Sequence, residues 1–597
     1  MDFTGVIDGA VMRFVLSTDR PLSGAVLCCS GIGPLSCVSG GKTQFVLGSQ
    51  IEIVLPDLRA GADHEIVLQY DGRTPSNRAW LPQAPYLRHG AEIIHLPTGP
   101  LGARHPLPRP APVDGLRLIP QPSSWQPNGE TVRTPGFICS DATFQTVSHL
   151  AKRNGLAGFL DAEGLPVRLE TADMAKDTYR LDILPDAVTL TSGDTGGRLY
   201  GAITLFTLLH THAGELPCGT LADDPRFGWR GQHLDCVRHF FKPTSLVQLL
   251  DLMALLKLNR FHWHFADDEA FRLELDSLPE LWQKTTRSGE GQLLPGFFGE
   301  GPDSGGSYSK DEAQALIAHG HALNIEILPE IEAPAHSLCI TYVYPDVLDP
   351  QDNGAEESVQ GYRRNALNPA MPRTWEVLEA MVTEVGALFP FNHLHLGCDE
   401  LAQDTWMSSP AARHLMEAEG LATTDDLQGW TMSKLAAIVT ANGQRPAAWE
   451  EAAKGANGGI GHDAILFSWT GQGPGVEAAK AGYDVVMTPA QHAYLDMAAT
   501  GDTDDWGASW AAVVSLADTI NWNPVPDELG DAASHVIGVQ GTFWGEFTTE
   551  DSQLWPMLLP RMLGIAATAW QHEMTLDGDS LTAIAGHYRP ILEAFGA

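Results

Sequence analysis

Apolar and polar positions alternate in short runs through residues 1–115: AVMRFVLST, QFVLG, IEIVLP, HEIVLQY and AEIIHLP, separated by Gly and Pro. A period of two with turn residues between the runs predicts a sandwich-like, all-β accessory domain. The proline-rich stretch PTGPLGARHPLPRPAPVDG (97–115) reads as the linker that closes it. Over 116–223, strand-like LRLIP and DAVTLTS mix with the helical stretches FQTVSHLAKRNG and GGRLYGAITLFTLLHTH, which predicts a small α+β domain. From 224 to 597 the pattern turns to strand, helix, strand, helix. Eight strand-like runs recur there: GQHLDC, RFHWHF, IEILPEI, HLHLG, RPAAW, AILFSW, DVVMT and VIGVQGTF. Helical periods such as SLVQLLDLMALLKL and SKDEAQALIAHGHAL separate several of them. The fold class expected is therefore α/β: a (β/α)₈ barrel preceded by the α+β domain and the N-terminal β-domain.

Composition narrows the function. With 74 acidic and 37 basic residues the chain carries a net charge of −37, which excludes a predominantly basic nucleic-acid grip and disfavours anionic membranes. No apolar run reaches the ~18 residues that cross a bilayer. The opening MDFTGVIDGAVMRFVLSTDR has no basic stretch followed by an apolar one, so a soluble, cytoplasmic protein is expected. The eight cysteines show no metal-ligand spacing, and a chain of this size requires no disulfide framework. A homo-oligomer is left open.

In a barrel of this kind chemistry gathers where strands end. Polar residues follow the runs there: His264, Asp267 and Asp268 after the second, Glu330, Glu332 and His336 at or after the third, and Asp399 and Glu400 after the fourth. Trp449, Glu450 and Glu451 follow the fifth, Trp469 the sixth, Tyr494 and Asp496 the seventh, and Trp544 and Glu546 the eighth. Carboxylates beside tryptophans point to a carbohydrate, whose hydroxyls need acceptors and whose C–H faces stack on rings. Most glycosidases flank the scissile bond with two carboxyls. Asp399 and Glu400 are consecutive and cannot readily sit on opposite faces of one carbon. They could instead address two adjacent groups of one sugar, the leaving oxygen and a 2-acetamido group.

These segments resemble the β-N-acetylhexosaminidases of glycoside hydrolase family 20. RGQHLDCVRHFF (230–241), LNRFHWHFADD (258–268), LPEIEAPAHS (328–337), HLHLGCDE (393–400), AAWEE (447–451), SWT, YLD (494–496) and GTFWGE (541–546) match in order across 224–597. The resemblance implies a retaining, exo-acting enzyme without cofactor or metal, acting on terminal β-linked GlcNAc or GalNAc of an oligosaccharide. It implies Glu400 as general acid and base and Asp399 as the group that orients the acetamide. His336 and Asp267 would support the acid, together with Glu332. Arg238, Asp496 and Glu546 would bind hydroxyls, Trp449, Trp469 and Trp544 would wall the site, and Tyr494 would donate to the acetamide oxygen. Repulsion between adjacent carboxyls is expected to raise one pKa, which suits the acid. The chain departs from the family pattern at Cys398, Glu332 and Ala335. Cys398 beside the pair is expected to make activity sensitive to thiol reagents.

Two other classes compete. His262 and His264 share a strand face, the HxH spacing of a metal-dependent amidohydrolase. The remaining strand ends offer Trp and Glu instead of further histidines, so both read as packing or supporting residues. A catalytically inactive sugar-binding barrel is the other class, and retention of both Asp399 and Glu400 argues against it. Trp229, Trp263, Trp555 and Trp570 read as core, and Arg230 as one half of a structural ion pair.

Overall fold

The computed structural model describes residues 1–96, 106–156, 158–353, 358–359 and 361–597. Residues 97–105 of the proline-rich linker therefore lie outside the described residues. The N-terminal region folds into two antiparallel sheets, one of four strands and one of five. Alternation explains the packing. Met12, Phe14 and Leu16 on one strand face the same side, where they are buried with Leu27, Ile51 and Ile66. Each such side chain contributes ~1.5–3 kcal/mol of burial.

A six-stranded sheet follows, running from Ser124–Arg133 at one edge to Phe137–Ile138 at the other. Helices Ala142–Arg153 and Thr195–Thr211 pack together, each started by an aspartate, Asp141 or Asp194, that accepts from backbone N–H in the first turn. A buried ion pair ties this unit to the barrel. Lys257 Nζ lies 2.7 Å from Asp223, which also accepts from the indole of Trp570 at 2.8 Å.

The eight runs read from the sequence form a closed parallel barrel: Trp229–Asp235, Arg260–His264, Glu326–Glu330, His393–His395, Arg445–Trp449, Ile465–Ser468, Asp484–Met487 and Val536–Gly541. Trp229, Leu328, Trp449 and Phe467 fill an apolar layer inside it. Nearer the C-terminal ends the interior turns polar. Glu330 takes His264 Nδ1 at 2.6 Å, His395 Nδ1 at 2.8 Å and His262 Nε2 at 3.1 Å. Burial alone would raise the Glu330 pKa, but these imidazoles outweigh it and hold the carboxyl well below its ordinary value. The fourth strand is the short one. It stops at His395 because the chain turns into the left-handed region at Gly397 and Cys398. No helix among the described residues is long and apolar enough to cross a membrane.

Candidate active site

A cavity of ≈ 380 Å³ opens at the C-terminal ends of the barrel strands, within the range of small-ligand sites. Of the residues to which the family resemblance gives a role, all but Asp267 and Glu332 line it, whereas His264, Asp268, Glu330, Glu450 and Glu451 at the strand ends do not. Asp267 and Glu332 lie behind it.

Asp399 and Glu400 sit on the loop after the fourth strand, on strained backbone. Gly397 (φ 64), Cys398 (φ 82) and Glu400 (φ 54) are all left-handed, and so is His336 (φ 49). For a side-chain-bearing residue that conformation costs on the order of 1–3 kcal/mol and persists only where the surroundings enforce it. The turn gives the two carboxyls different environments. Asp399 is 7% exposed, whereas the Glu400 side chain is 40% exposed at the cavity. Burial, and repulsion from Glu400, raise the Asp399 pKa to about 6, against the attraction of His336. The raised pKa resolved for the pair is that of the buried Asp399. Depth in the fold decided this, which adjacency in the chain could not show. Asp399 Oδ1 has no hydrogen-bond partner among the described residues.

His336 links the pair to a charged chain behind it. Its Nε2 is 3.4 Å from Glu400 and 3.8 Å from Asp399, and its Nδ1 is 2.9 Å from Asp267. Asp267 in turn meets Arg238 at 2.8 Å and His264 at 2.9 Å. Burial would lower the His336 pKa, but Asp267 and Asp399 outweigh it and keep the ring an imidazolium. Burial would raise Asp267, but Arg238 and His336 hold it well below its ordinary value. His264 is treated likewise: burial opposes its charge, Glu330 and Asp267 restore it, and its pKa rises to about 10. Carboxylates lie on both ring nitrogens of His264, Glu330 on Nδ1 and Asp267 on Nε2.

Arg238 is buried among three carboxylates, Asp267, Glu269 at 2.9 Å and Asp235 at 3.5 Å, and lies over the Trp544 ring at 5.3 Å. Sequence reasoning gave no role to Asp235, which lies within the matching segment 230–241, or to Glu269, one residue past the segment 258–268. Burial raises Glu546 to about 7, against the pull of Arg238. Burial and the neighbouring Glu546 push Asp496 well up, and its Oδ1 also lacks a partner among the described residues.

The walls are aromatic. Trp449 and Trp544 meet at 5.9 Å, and Trp469 stacks on Tyr494 at 6.4 Å with 16° between the planes. Glu450 accepts from the Trp469 backbone N–H at 3.0 Å and Glu451 from its indole at 3.1 Å, so these two acids position a wall. Trp510, 55% exposed, closes the rim edge-on to Trp469 and Tyr494. It was missed because the run around it has no strand pattern.

Two departures from the family pattern find a structural account. Glu332 lies against Gly397, where a Cβ would fall 1.7 Å from its Oε2, so the longer acid depends on that glycine. Burial, with Asp399 close by, raises the Glu332 pKa well above its ordinary value. The expected thiol sensitivity is corrected. Cys398 is 1% exposed, its Sγ lies 3.1 Å from the Gln428 amide, and burial pushes the thiol pKa up, away from the reactive thiolate. Arg230 makes the buried ion pair read from the sequence, with Asp177 at 3.4 Å.

Carboxyls and indoles converging on one small cavity at the C-terminal mouth of a (β/α)₈ barrel define a glycoside hydrolase. Residues 227–573 match the model of the glycosyl hydrolase family 20 catalytic domain, and residues 115–224 that family's domain 2. The chain belongs to glycosyl hydrolase family 20. It is 31% identical to a beta-hexosaminidase of Vibrio furnissii, over 65% of this chain and 64% of that protein. It is 30% identical to a beta-hexosaminidase of Akkermansia muciniphila, over 77% of this chain and 90% of that protein. The structure of an exo β-N-acetylglucosaminidase from Vibrio harveyi, solved with N-acetylglucosamine, superposes over 100% of this chain and 98% of its own, with a TM-score of 0.86 and 25% identity.

Proposed function

We propose that the protein is a retaining, exo-acting β-N-acetylhexosaminidase that removes terminal β-linked GlcNAc or GalNAc from oligosaccharides, with the substrate's own acetamide as nucleophile. One observation carries this reading. The two carboxyls at the cavity are chain neighbours in unlike settings, Asp399 buried with an unpartnered oxygen and Glu400 half-open to the cavity. Such a pair suits one sugar with two reacting groups better than a bond attacked from opposite sides.

In the first step Glu400 gives its proton to the glycosidic oxygen. The C1–O bond breaks as the acetamide oxygen bonds to C1, forming an oxazolinium ring. Asp399 accepts the acetamide N–H and balances the positive charge. In the second step Glu400 takes a proton from water, whose oxygen attacks C1 from the side the leaving group left, and the ring opens with net retention. His336 and Asp267 hold Glu400 in place, Tyr494 donates to the acetamide oxygen, and Arg238, Asp496 and Glu546 bind hydroxyls. The tryptophans exclude water from the developing charge.

A chromogenic β-N-acetylglucosaminide, the matching β-glucoside and the N-trifluoroacetyl analogue test the reading. Only the acetamido sugars are cleaved, and the fluorines, which weaken the amide oxygen as nucleophile, lower kcat at least tenfold, ~1.4 kcal/mol on the barrier. Comparable rates on the glucoside, or no effect of fluorination, would refute it.

A further inference from the structure

We infer that the N-terminal β-domain forms one wall of the active site and that its Arg73 binds the second sugar of the substrate, the one that departs. The inference rests on the hexosaminidase reading above. The cavity that holds Asp399 and Glu400 is also lined by Ile32, Pro34 and Arg73, which lie outside the matched catalytic segment 227–573. None of the three was singled out from the sequence, because the β-domain carries no motif.

The wall is built rigidly. Ile32 donates its backbone N–H to the buried Tyr70 hydroxyl at 3.2 Å, Gly31 to Ser49 at 3.2 Å, and Asp71 to the Pro34 carbonyl at 3.0 Å. A Cβ at Gly31 would fall 2.8 Å from the Tyr70 ring, so this loop fits closely only as glycine. These bonds fix loop 31–34 and turn 71–73 against each other.

The domain also grips the barrel segments that make the rim. Ser49 bonds to the Val359 carbonyl through both its backbone N–H, at 3.1 Å, and its hydroxyl, at 2.8 Å, two residues before lining Gly361. Arg78 donates its backbone N–H to Thr503 at 2.9 Å and the Asn77 amide to Gly507 at 3.1 Å, just ahead of Ala508 and Trp510. Trp80 packs edge-on to lining Phe547 at 6.4 Å. A remote binding module or a spacer would not need to clasp three separate stretches of the rim.

Position and chemistry assign the ligand. Trp449 closes the inner end of the cavity at 1% exposure, whereas Arg73 is exposed. With the acetamido sugar against Trp449 and C1 beside Asp399 and Glu400, its leaving group is left the rest of the cavity, which Arg73 also lines. The inner cavity is rich in carboxylates, which serve mainly as acceptors. Arg73 adds a planar donor fork, suited to the hydroxyl and acetamide oxygens of a second sugar. Arg73 is exposed, so its guanidinium is open to that sugar. Ile32 and Pro34 offer apolar surface to its C–H face.

The test compares wild type with Arg73→Ala in the full chain, on the β-1,4 disaccharide of N-acetylglucosamine and on its methyl β-glycoside. For the disaccharide kcat/KM falls about tenfold, mostly through KM, as expected for losing a charge-assisted hydrogen bond. For the methyl glycoside, which has no second sugar, it changes less than twofold. Arg73→Lys keeps part of the disaccharide rate. Equal losses on both substrates, or none on either, overturn the inference while the hexosaminidase reading stands. A wild type inert on both overturns the reading itself. Unchanged melting of Arg73→Ala, expected for an exposed side chain, shows that the fold is intact.

Discussion

Replacing Asp399 by asparagine keeps the shape of the side chain and removes its charge. Burial lifts the Asp399 pKa from 3.8 to about 6. At 1.36 kcal/mol per pKa unit, the anion is ~3 kcal/mol less stable there than in water. The cation that forms as the acetamide closes on C1 offsets this penalty, and only in the transition state, so the gain belongs in kcat. Asp399→Asn should therefore lower kcat by ~100-fold or more, and by similar factors for nitrophenol and for a sugar as leaving group, because it acts on the nucleophile. Steady-state kinetics on the nitrophenyl glycoside and the disaccharide measure both. The pH dependence has a definite sign. The ionised form is the active one, so wild-type kcat/KM falls as pH drops through about 6. For stability the sign is opposite. The folded pKa is the higher one, so the contribution of Asp399 is present below 3.8 and lost as pH rises through about 6. At pH 7 the asparagine variant should consequently melt no lower than wild type. A variant that keeps more than a tenth of wild-type kcat, or that slows one leaving group alone, would refute the reasoning.

Glu400→Gln removes the proton donor, an effect of ~10²–10⁴-fold on sugars with poor leaving groups. Nitrophenyl glycosides, whose leaving group needs little protonation, should retain far more of their rate, and equal rates for wild type and variant on both would contradict the assignment. Gly397→Ala places a Cβ at φ 64, 1.7 Å from Glu332 Oε2. The left-handed conformation alone costs ~1–2 kcal/mol, so melting temperature and kcat should both drop. Adding Glu332→Asp withdraws the carboxyl by one methylene and should restore part of each. A double variant no better than Gly397→Ala would show that the contact is not what excludes a side chain there.

Much of this protein was legible in its sequence because its information is local. A strand of the barrel is a short apolar run with a polar residue at its end, and eight such runs in order were enough to define the closed sheet. Glycine, proline and a period of two marked the β-domain for the same reason. Cavity residues such as Asp399, Trp449 and Tyr494 were found because each lies within a few positions of a strand end. What lay beyond reach depends on depth and on neighbours distant in the chain. Desolvation decided that the raised pKa belongs to Asp399 and that Cys398 is an inert thiol, and burial is a property of the packed molecule. Glu269 gained meaning only where Arg238, 31 residues away in the chain, folds against it. Ile32, Pro34 and Arg73 reach the site only because one domain docks on the loops of another, a juxtaposition set by tertiary packing and not by any pattern within residues 1–115.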